Sequence, residues 1–388
     1  MSLWGPLAER YETTRPRKLL ALDGGGIRGA LTLEMLLALE TQLRDATGAG
    51  SSFRLADWFD YIAGTSTGAI IAAGLARGMS VQELIDFYVN VGPEMFDKRF
   101  LIARLRSLYE SGPLENKLKD VFGADTTLHP EHLRCLLLVV TRNVTTDSPW
   151  PISSNPLAKY NQPSHRECNL RLPLWKIVRA STAAPIFFPP EVIALDPDAT
   201  DRAFVFVDGG ITPYNNPSFL LFRNATLPPY NLHWETGESR LLLVSLGTGS
   251  APSLDGDIDS PEKNIAVNLV GLPSAFMYGM LVDQDVNCRA VGRCIAGALI
   301  DRELGDLIPR DENGTPIPLS KDLGKAFRYA RYNADLSPSA LAGAGLGDLD
   351  PDRVAKLDAV EQIDNLRRIG RYAARDIDVR SFGAPFVS

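Results

Sequence analysis

Histidine and cysteine are both scarce in this chain, four of each in 388 residues. Cys135, Cys168, Cys288 and Cys294 stand far apart, and the closest pair lacks C-x-x-C spacing and has no histidine nearby. That excludes a zinc site or a disulfide framework as the organising device and fits a reducing compartment. Long apolar runs are missing too, with nothing near the ~20 uninterrupted apolar residues that span a bilayer. Residues 1–17 carry Glu9, Arg10, Glu12 and Arg15 among prolines and have no apolar signal core. The expectation is a cytoplasmic protein whose contact with a membrane, if any, is peripheral. Excess positive charge is lacking as well. The formal net charge is −7, which argues against nucleic acid as a general partner. What is present, 45% hydrophobic and 22% charged residues, suits a globular chain with a large buried core.

Short apolar runs without alternation recur at 18–23 (KLLALD), 58–63, 133–141 (LRCLLLVVT), 203–208 (AFVFVD) and 240–247 (RLLLVSLG). Such runs suit strands buried on both faces of a mostly parallel sheet. Between them, 27–44, 67–77, 81–91 and 172–181 follow helical spacing. The alternation predicts an α/β layered fold. Stretches 145–165, 251–263 and 311–320 read as loops, and beyond about residue 265 the pattern is mainly helical, ending in a helix over about 351–376.

Two glycine-bracketed motifs carry the chemistry. Gly64-Thr65-Ser66-Thr67-Gly68 is a G-x-S-x-G sequence between an apolar strand and a small-residue helix, the setting in which a serine sits on a strained turn with its oxygen exposed. Asp23-Gly24-Gly25-Gly26-Ile27-Arg28-Gly29 also lies between strand and helix. Gly24, Gly26 and Gly29 satisfy the dinucleotide pattern G-x-G-x-x-G. The acidic residue that pattern needs at the end of a second strand is absent, because Glu40 and Asp45 fall in or just after a helix. Three successive glycines instead let adjacent N–H groups approach one oxyanion without interference from Cβ atoms. A nucleophile and an oxyanion hole point to acyl transfer.

The general base is less obvious. A Ser–His–Asp order leaves His233, which lies in the polar stretch 231–235 rather than at a strand end. The other candidate is Asp208, which ends the run AFVFVD and precedes Gly209 and Gly210. Desolvation would raise a carboxylate from its reference value of ~3.9 toward usefulness as a base.

The ordered set DGGGIRG, GTSTG and DGG resembles the patatin-like phospholipase family, lipid acyl hydrolases with a Ser–Asp dyad. Supporting stretches are Ala180-Ser181-Thr182-Ala183-Ala184-Pro185 with Phe187, Phe188 and Pro189, then Asn215-Asn216-Pro217, and Ser245-Leu246-Gly247-Thr248-Gly249. The resemblance covers roughly residues 18–250 and implies a three-layer α/β/α sandwich with a mostly parallel central sheet. It also implies a lead-in over 1–17, a catalytic domain over 18–250 and a helical C-terminal region over 251–388 packed on it. By resemblance Ser66 is the nucleophile, with Gly64 and Gly68 forming its elbow. Asp208 is the proton acceptor, with Gly209 and Gly210 completing its motif. Gly24, Gly25, Gly26 and Arg28 form the oxyanion hole, and no metal or cofactor is required. The expected substrate is lipid in a membrane or aggregate.

Two further stretches bear on lipid contact. Residues 96–109 (FDKRFLIARLRSLY) are basic and amphipathic, and read as an interfacial helix or, more conservatively, a packed surface helix. Residues 271–282, uncharged up to Val282 and containing Phe276, Met277, Tyr278 and Met280, read as core or as an acyl channel. Alternatives remain: a phospholipase switched on by a nucleotide or protein partner, a Ser–His–Asp esterase or thioesterase using His233, and a nucleotide-binding module without hydrolysis.

Overall fold

The computed structural model describes residues 3–96, 112–185, 188–196, 203–250 and 261–387; the side chains of 112–114 and 261–275 are not among them. Among the described residues nine strands form one sheet: β1 (Arg17–Leu22), β2 (Tyr61–Thr65), β3 (Leu136–Asn143), β4 (Ser148–Ser153), β5 (Glu191–Ala194), β6 (Ala203–Asp208), β7 (Leu241–Leu246), β8 (Arg293–Ala296) and β9 (Arg328–Tyr332). Their order is β5-β6-β3-β2-β1-β7-β9-β8, with β4 paired to β3 off this path. From β3 through to β8 all neighbours run parallel, whereas β4, β5 and β6 introduce antiparallel pairs at the other margin.

Side-chain alternation divides the interior into two cores. Leu20, Leu22, Ile62, Val139 and Val244 face one side, and Leu19, Ala21, Tyr61, Ala63, Val140 and Leu243 face the other. On the first side pack the helices α1 (Gly29–Ala46), α2 (Thr67–Ala76), α3 (Val81–Phe96), α4 (Leu174–Ser181) and, from near the end of the chain, α7 (Ile363–Ala373). On the second side pack α5 (Ser218–Thr226), the N-terminal residues Trp4, Leu7 and Tyr11, and Cys288 from α6 (Pro261–Val291). This is a three-layer α/β/α sandwich with a mostly parallel sheet. All four cysteines are buried and unbridged.

Three stretches depart from the sequence expectation. Within the loop expected at 145–165, β4 forms as a marginal strand that accommodates Pro149 and Pro151. The segment beyond 251, expected to be helical, supplies β8 and β9, so it extends the sheet as well as packing on it. The single helix expected over 351–376 is broken into Pro351–Val354, Val360–Gln362 and α7.

Candidate active site

Ser66 follows β2 directly and holds a positive φ of 54°, rare for a residue with a side chain and worth about 1–3 kcal/mol of strain. The turn is possible because the flanking glycines allow backbone contact. A Cβ on Gly64 would lie 2.1 Å from the carbonyl oxygen of Gly68, and one on Gly68 would lie 2.3 Å from that of Leu22. Helix α2 therefore begins pressed against β1 and β2, with its N-terminal end at the serine, where its dipole favours negative charge. Ser181, on the last turn of α4, braces the elbow: its Oγ accepts from Ser66 N at 2.9 Å and donates to the Val140 carbonyl at 2.6 Å. In the sequence, the stretch 180–185 carries only a family resemblance, and nothing local in it announces this contact.

Asp208 arrives from the opposite direction. β4 occupies one edge of β3 over Leu138–Asn143, so β2 and β6 share the other edge in succession. β2 pairs with β3 up to Val140, and β6 then runs antiparallel to it, with Asp208 opposite Thr141. The C-terminal tips of β2 and β6 thus meet end to end, and Ser66 Oγ donates to Asp208 Oδ2 at 2.7 Å. Asp208 Oδ1 accepts from Gly210 N at 2.7 Å. Gly209 fits because a Cβ there would lie 2.3 Å from the Val140 carbonyl oxygen. Asp208 is 5% exposed, and burial raises the pKa of its carboxyl group to about 6 against the opposing pull of the Ser66 and Gly210 hydrogen bonds.

The glycine loop passes beside this pair. A Cβ on Gly24 would come within 3.3 Å of Ser66 Cβ. Gly24 N donates to the Asn215 carbonyl at 3.0 Å, so this glycine, expected in the donor set, is not a free donor. Gly25 N and Gly26 N have no acceptor among the described residues. The loop is held from several sides. Thr248 Oγ1 donates to the Gly24 carbonyl at 2.9 Å, and Ile27 N donates to the Leu357 carbonyl at 2.9 Å. Asp23, fully buried at the start of the loop, receives both nitrogens of the Arg331 fork at 2.9 and 2.5 Å, while Arg331 also donates to Ser245 Oγ at 2.7 Å. Arg331 comes from β9, where no local motif signals a contact with the glycine loop. Burial draws the Arg28 guanidinium down to about 10, still cationic at neutral pH, and its Nε has no partner among the described residues.

Other expectations fall elsewhere. His233 shares a surface recess with Arg17 and Arg240, which begin or precede β1 and β7, and so lies at the amino edge of the sheet, one strand length from Ser66. It is not a partner for Ser66. Phe276 is 66% exposed and Tyr278 partly buried, so this part of residues 271–282 is not core; residues 271–275 have no described side chains. Residues 97–109 of the amphipathic segment, and Phe187, lie outside the described residues. Phe96 is buried at the end of α3, and Phe188 packs under Arg179 with the guanidinium 5.3 Å from its ring centroid. No helix among the described residues is long and apolar enough to cross a membrane.

The sequence model of the family described as patatin-like phospholipase matches residues 20–221, more than half of the chain. The chain is 34% identical over 228 residues to a cGAMP-activated phospholipase of Vibrio cholerae, an alignment that covers 55% of this chain and 59% of that protein. It is 31% identical over 260 residues to an intracellular phospholipase A2 of Caenorhabditis elegans, covering 64% of this chain and 21% of the other. It is 29% identical over 257 residues to Patatin-2-Kuras 4 of Solanum tuberosum, covering 63% and 65%. The chain spans less than two thirds of the length of each of these relatives.

Proposed function

The chain belongs to the patatin-like phospholipase family, and from that premise we propose that it is a lipid acyl hydrolase working through Ser66 and Asp208. The observation that carries the proposal is the 2.7 Å hydrogen bond from Ser66 Oγ to a buried Asp208 carboxylate whose pKa burial has raised to about 6. A base of that pKa is ionised at neutral pH yet basic enough to take a proton in the transition state.

As Ser66 Oγ attacks the ester carbonyl carbon, its proton passes to Asp208. The carbonyl oxygen becomes an oxyanion facing Gly25 N–H and Gly26 N–H, the loop donors without a protein acceptor. Collapse breaks the ester C–O bond, Asp208 returns the proton to the leaving alkoxide, and an acyl-serine remains. Water then attacks the acyl carbon as its proton passes to Asp208, the bond from that carbon to Ser66 Oγ breaks to release the fatty acid, and Asp208 returns the proton to Ser66 Oγ. Arg28, a cation whose Nε lacks a partner among the described residues, suits the phosphate of a phospholipid beside the same loop. The substrate is lipid presented in a membrane or aggregate, and no cofactor enters the cycle.

The 34% identity to a cGAMP-activated phospholipase favours a second feature, control of this hydrolase by a nucleotide. The catalytic assignment is tested with a fluorophosphonate probe. The parent should label once, and Ser66→Ala, which removes one oxygen at the turn, should neither label nor hydrolyse phospholipid vesicles. Labelling that persists in the variant places the nucleophile elsewhere.

A further inference from the structure

A cavity of about 540 Å³ opens on the carboxyl edge of the sheet beyond β9, within the range of small-molecule sites. Helix α6, residues 298–302 and the chain leaving β9 enclose it. Its apolar lining includes Tyr278, Leu281 and Leu299, the last 74% exposed. Among these stand two anchored carboxylates. Asp301 Oδ1 accepts from the N–H groups of Glu303 and Leu304 at 2.8 and 2.6 Å, and Asp335 Oδ1 accepts from Ser337 N at 2.8 Å. The second oxygen of each has no donor among the described residues. Arg302 is the cation lining the cavity that has no acceptor among them, because Arg289 is engaged with Asp285 and Arg331 with Asp23.

An acyl chain would leave those carboxylates dehydrated and unpaired, and a bare anion would meet two negative charges. A flat base answers both demands. It covers Tyr278 and Leu299 with its faces and offers N–H donors from its edge. Guanine presents two such donors side by side, a match for one carboxylate, and a phosphate attached to it has Arg302 as counter-ion.

The same walls lead to the catalytic loop. Arg331 lines the cavity and grips Asp23, the residue before Gly24. Asn333 lines it and accepts from Gly249 N at 2.8 Å, and the adjacent Thr248 holds the Gly24 carbonyl. We propose that this cavity is an effector site for a guanine-containing nucleotide, and that its occupant sets the position of Gly25 and Gly26 through Arg331 and Asn333. The proposal rests on the reading of this chain as a nucleotide-controlled hydrolase.

The test uses the full chain, with cGAMP as the probe and GMP and AMP as comparison arms. Binding is measured by calorimetry and hydrolysis on phospholipid vesicles, for the parent and for Tyr278→Ala and Asp335→Asn, each with a melting curve to establish that it folds. The parent should bind cGAMP and hydrolyse faster with it, and should bind GMP about tenfold more tightly than AMP. Each variant should bind cGAMP at least about tenfold more weakly, the order expected for a lost stacking or charged hydrogen-bond partner. Activation of the parent and both variants at equal concentrations of cGAMP would leave nucleotide control standing and overturn this cavity as its site. Vesicle hydrolysis by the parent that no nucleotide binds or changes would overturn the control itself. Equal binding of GMP and AMP would overturn the guanine assignment. A raised KM for long-chain esters in Tyr278→Ala, with no nucleotide bound by the parent, would reassign the cavity to the substrate's acyl chain.

Discussion

Asp208→Asn tests the catalytic proposal on two independent scales. The substitution keeps the shape and leaves an oxygen for Gly210 N, but removes the proton acceptor 2.7 Å from Ser66 Oγ. Turnover should fall by at least ~10²-fold, the lower end of what a positioned general base contributes. In the parent, kcat/KM should rise with pH along a limb centred near 6, because the carboxyl must ionise before it can accept the proton. His233→Ala, altered at the far edge of the sheet, should retain parental activity and the same limb.

The second scale is stability, and its sign is opposite to that of a salt-bridged aspartate. The folded pKa of about 6 lies above the ordinary value of 3.8, so between these values the folded chain holds a proton that the unfolded chain has lost. The favourable contribution is complete below the unfolded pKa and is lost as pH rises through about 6. At 1.36 kcal/mol per unit the loss is about 3 kcal/mol. Asp208→Asn has no such charge to bury and should exceed the parent by about 1–3 kcal/mol at pH 7.5 while nearly matching it at pH 4, as read from urea unfolding. An acidic activity limb near 4, or a stability difference that does not grow between those pH values, would show that the carboxylate is solvated and refute the reasoning. Inactivity of a folded His233→Ala equal to that of Asp208→Asn would refute the dyad.

Two further outcomes follow from the braces around the site. Arg331→Gln leaves Asp23 buried without its fork and should cost about 3–5 kcal/mol of stability in urea unfolding. In the fraction that remains folded at low temperature kcat should fall more than KM changes, because the loop rather than the substrate surface is displaced; the reverse pattern would detach Arg331 from the loop. Ser181→Ala leaves Ser66 N and the Val140 carbonyl unpaired, at about 1–3 kcal/mol for buried groups, and should slow fluorophosphonate labelling of Ser66; labelling at the parental rate would reduce Ser181 to packing.

Ser66 was legible in the sequence because an elbow is local: strand, turn and helix are contiguous, and the glycines at 64 and 68 report the close approach directly. Asp208 was legible as the end of a strand, but not the way it reaches Ser66. A parallel strand was the natural expectation for AFVFVD, and only the occupation of one edge of β3 by β4 leaves β6 to enter antiparallel on the edge that β2 vacates. β4 itself was hidden by its prolines. β8 and β9 were hidden by their arginines, since RCIA and RYARY carry residues that local reading assigns to solvent. Arg293 in fact meets Glu238 at 2.7 Å and Arg331 meets Asp23, both inside the protein and both at long sequence separation. A period-2 reading sees charge and has no access to the counter-charge that burial requires.

That pairing bears on how the catalytic loop is made. The family match ends at residue 221, yet three of the contacts that fix residues 23–27 come from beyond it: Thr248 on the Gly24 carbonyl, Arg331 on Asp23, and the Leu357 carbonyl on Ile27 N. An oxyanion hole works because its donors are already in place when charge develops, and flexible glycines cannot hold themselves in place. The proposed nucleophile and base therefore both lie within the family-matched residues 20–221, while much of what holds the proposed donors in place comes from beyond them. On the proposed mechanism, a site divided in this way would lose its transition-state stabilisation without any change at Ser66 or Asp208, through movement of β9 alone, and that is the physical opening through which an occupant of the adjoining cavity would act.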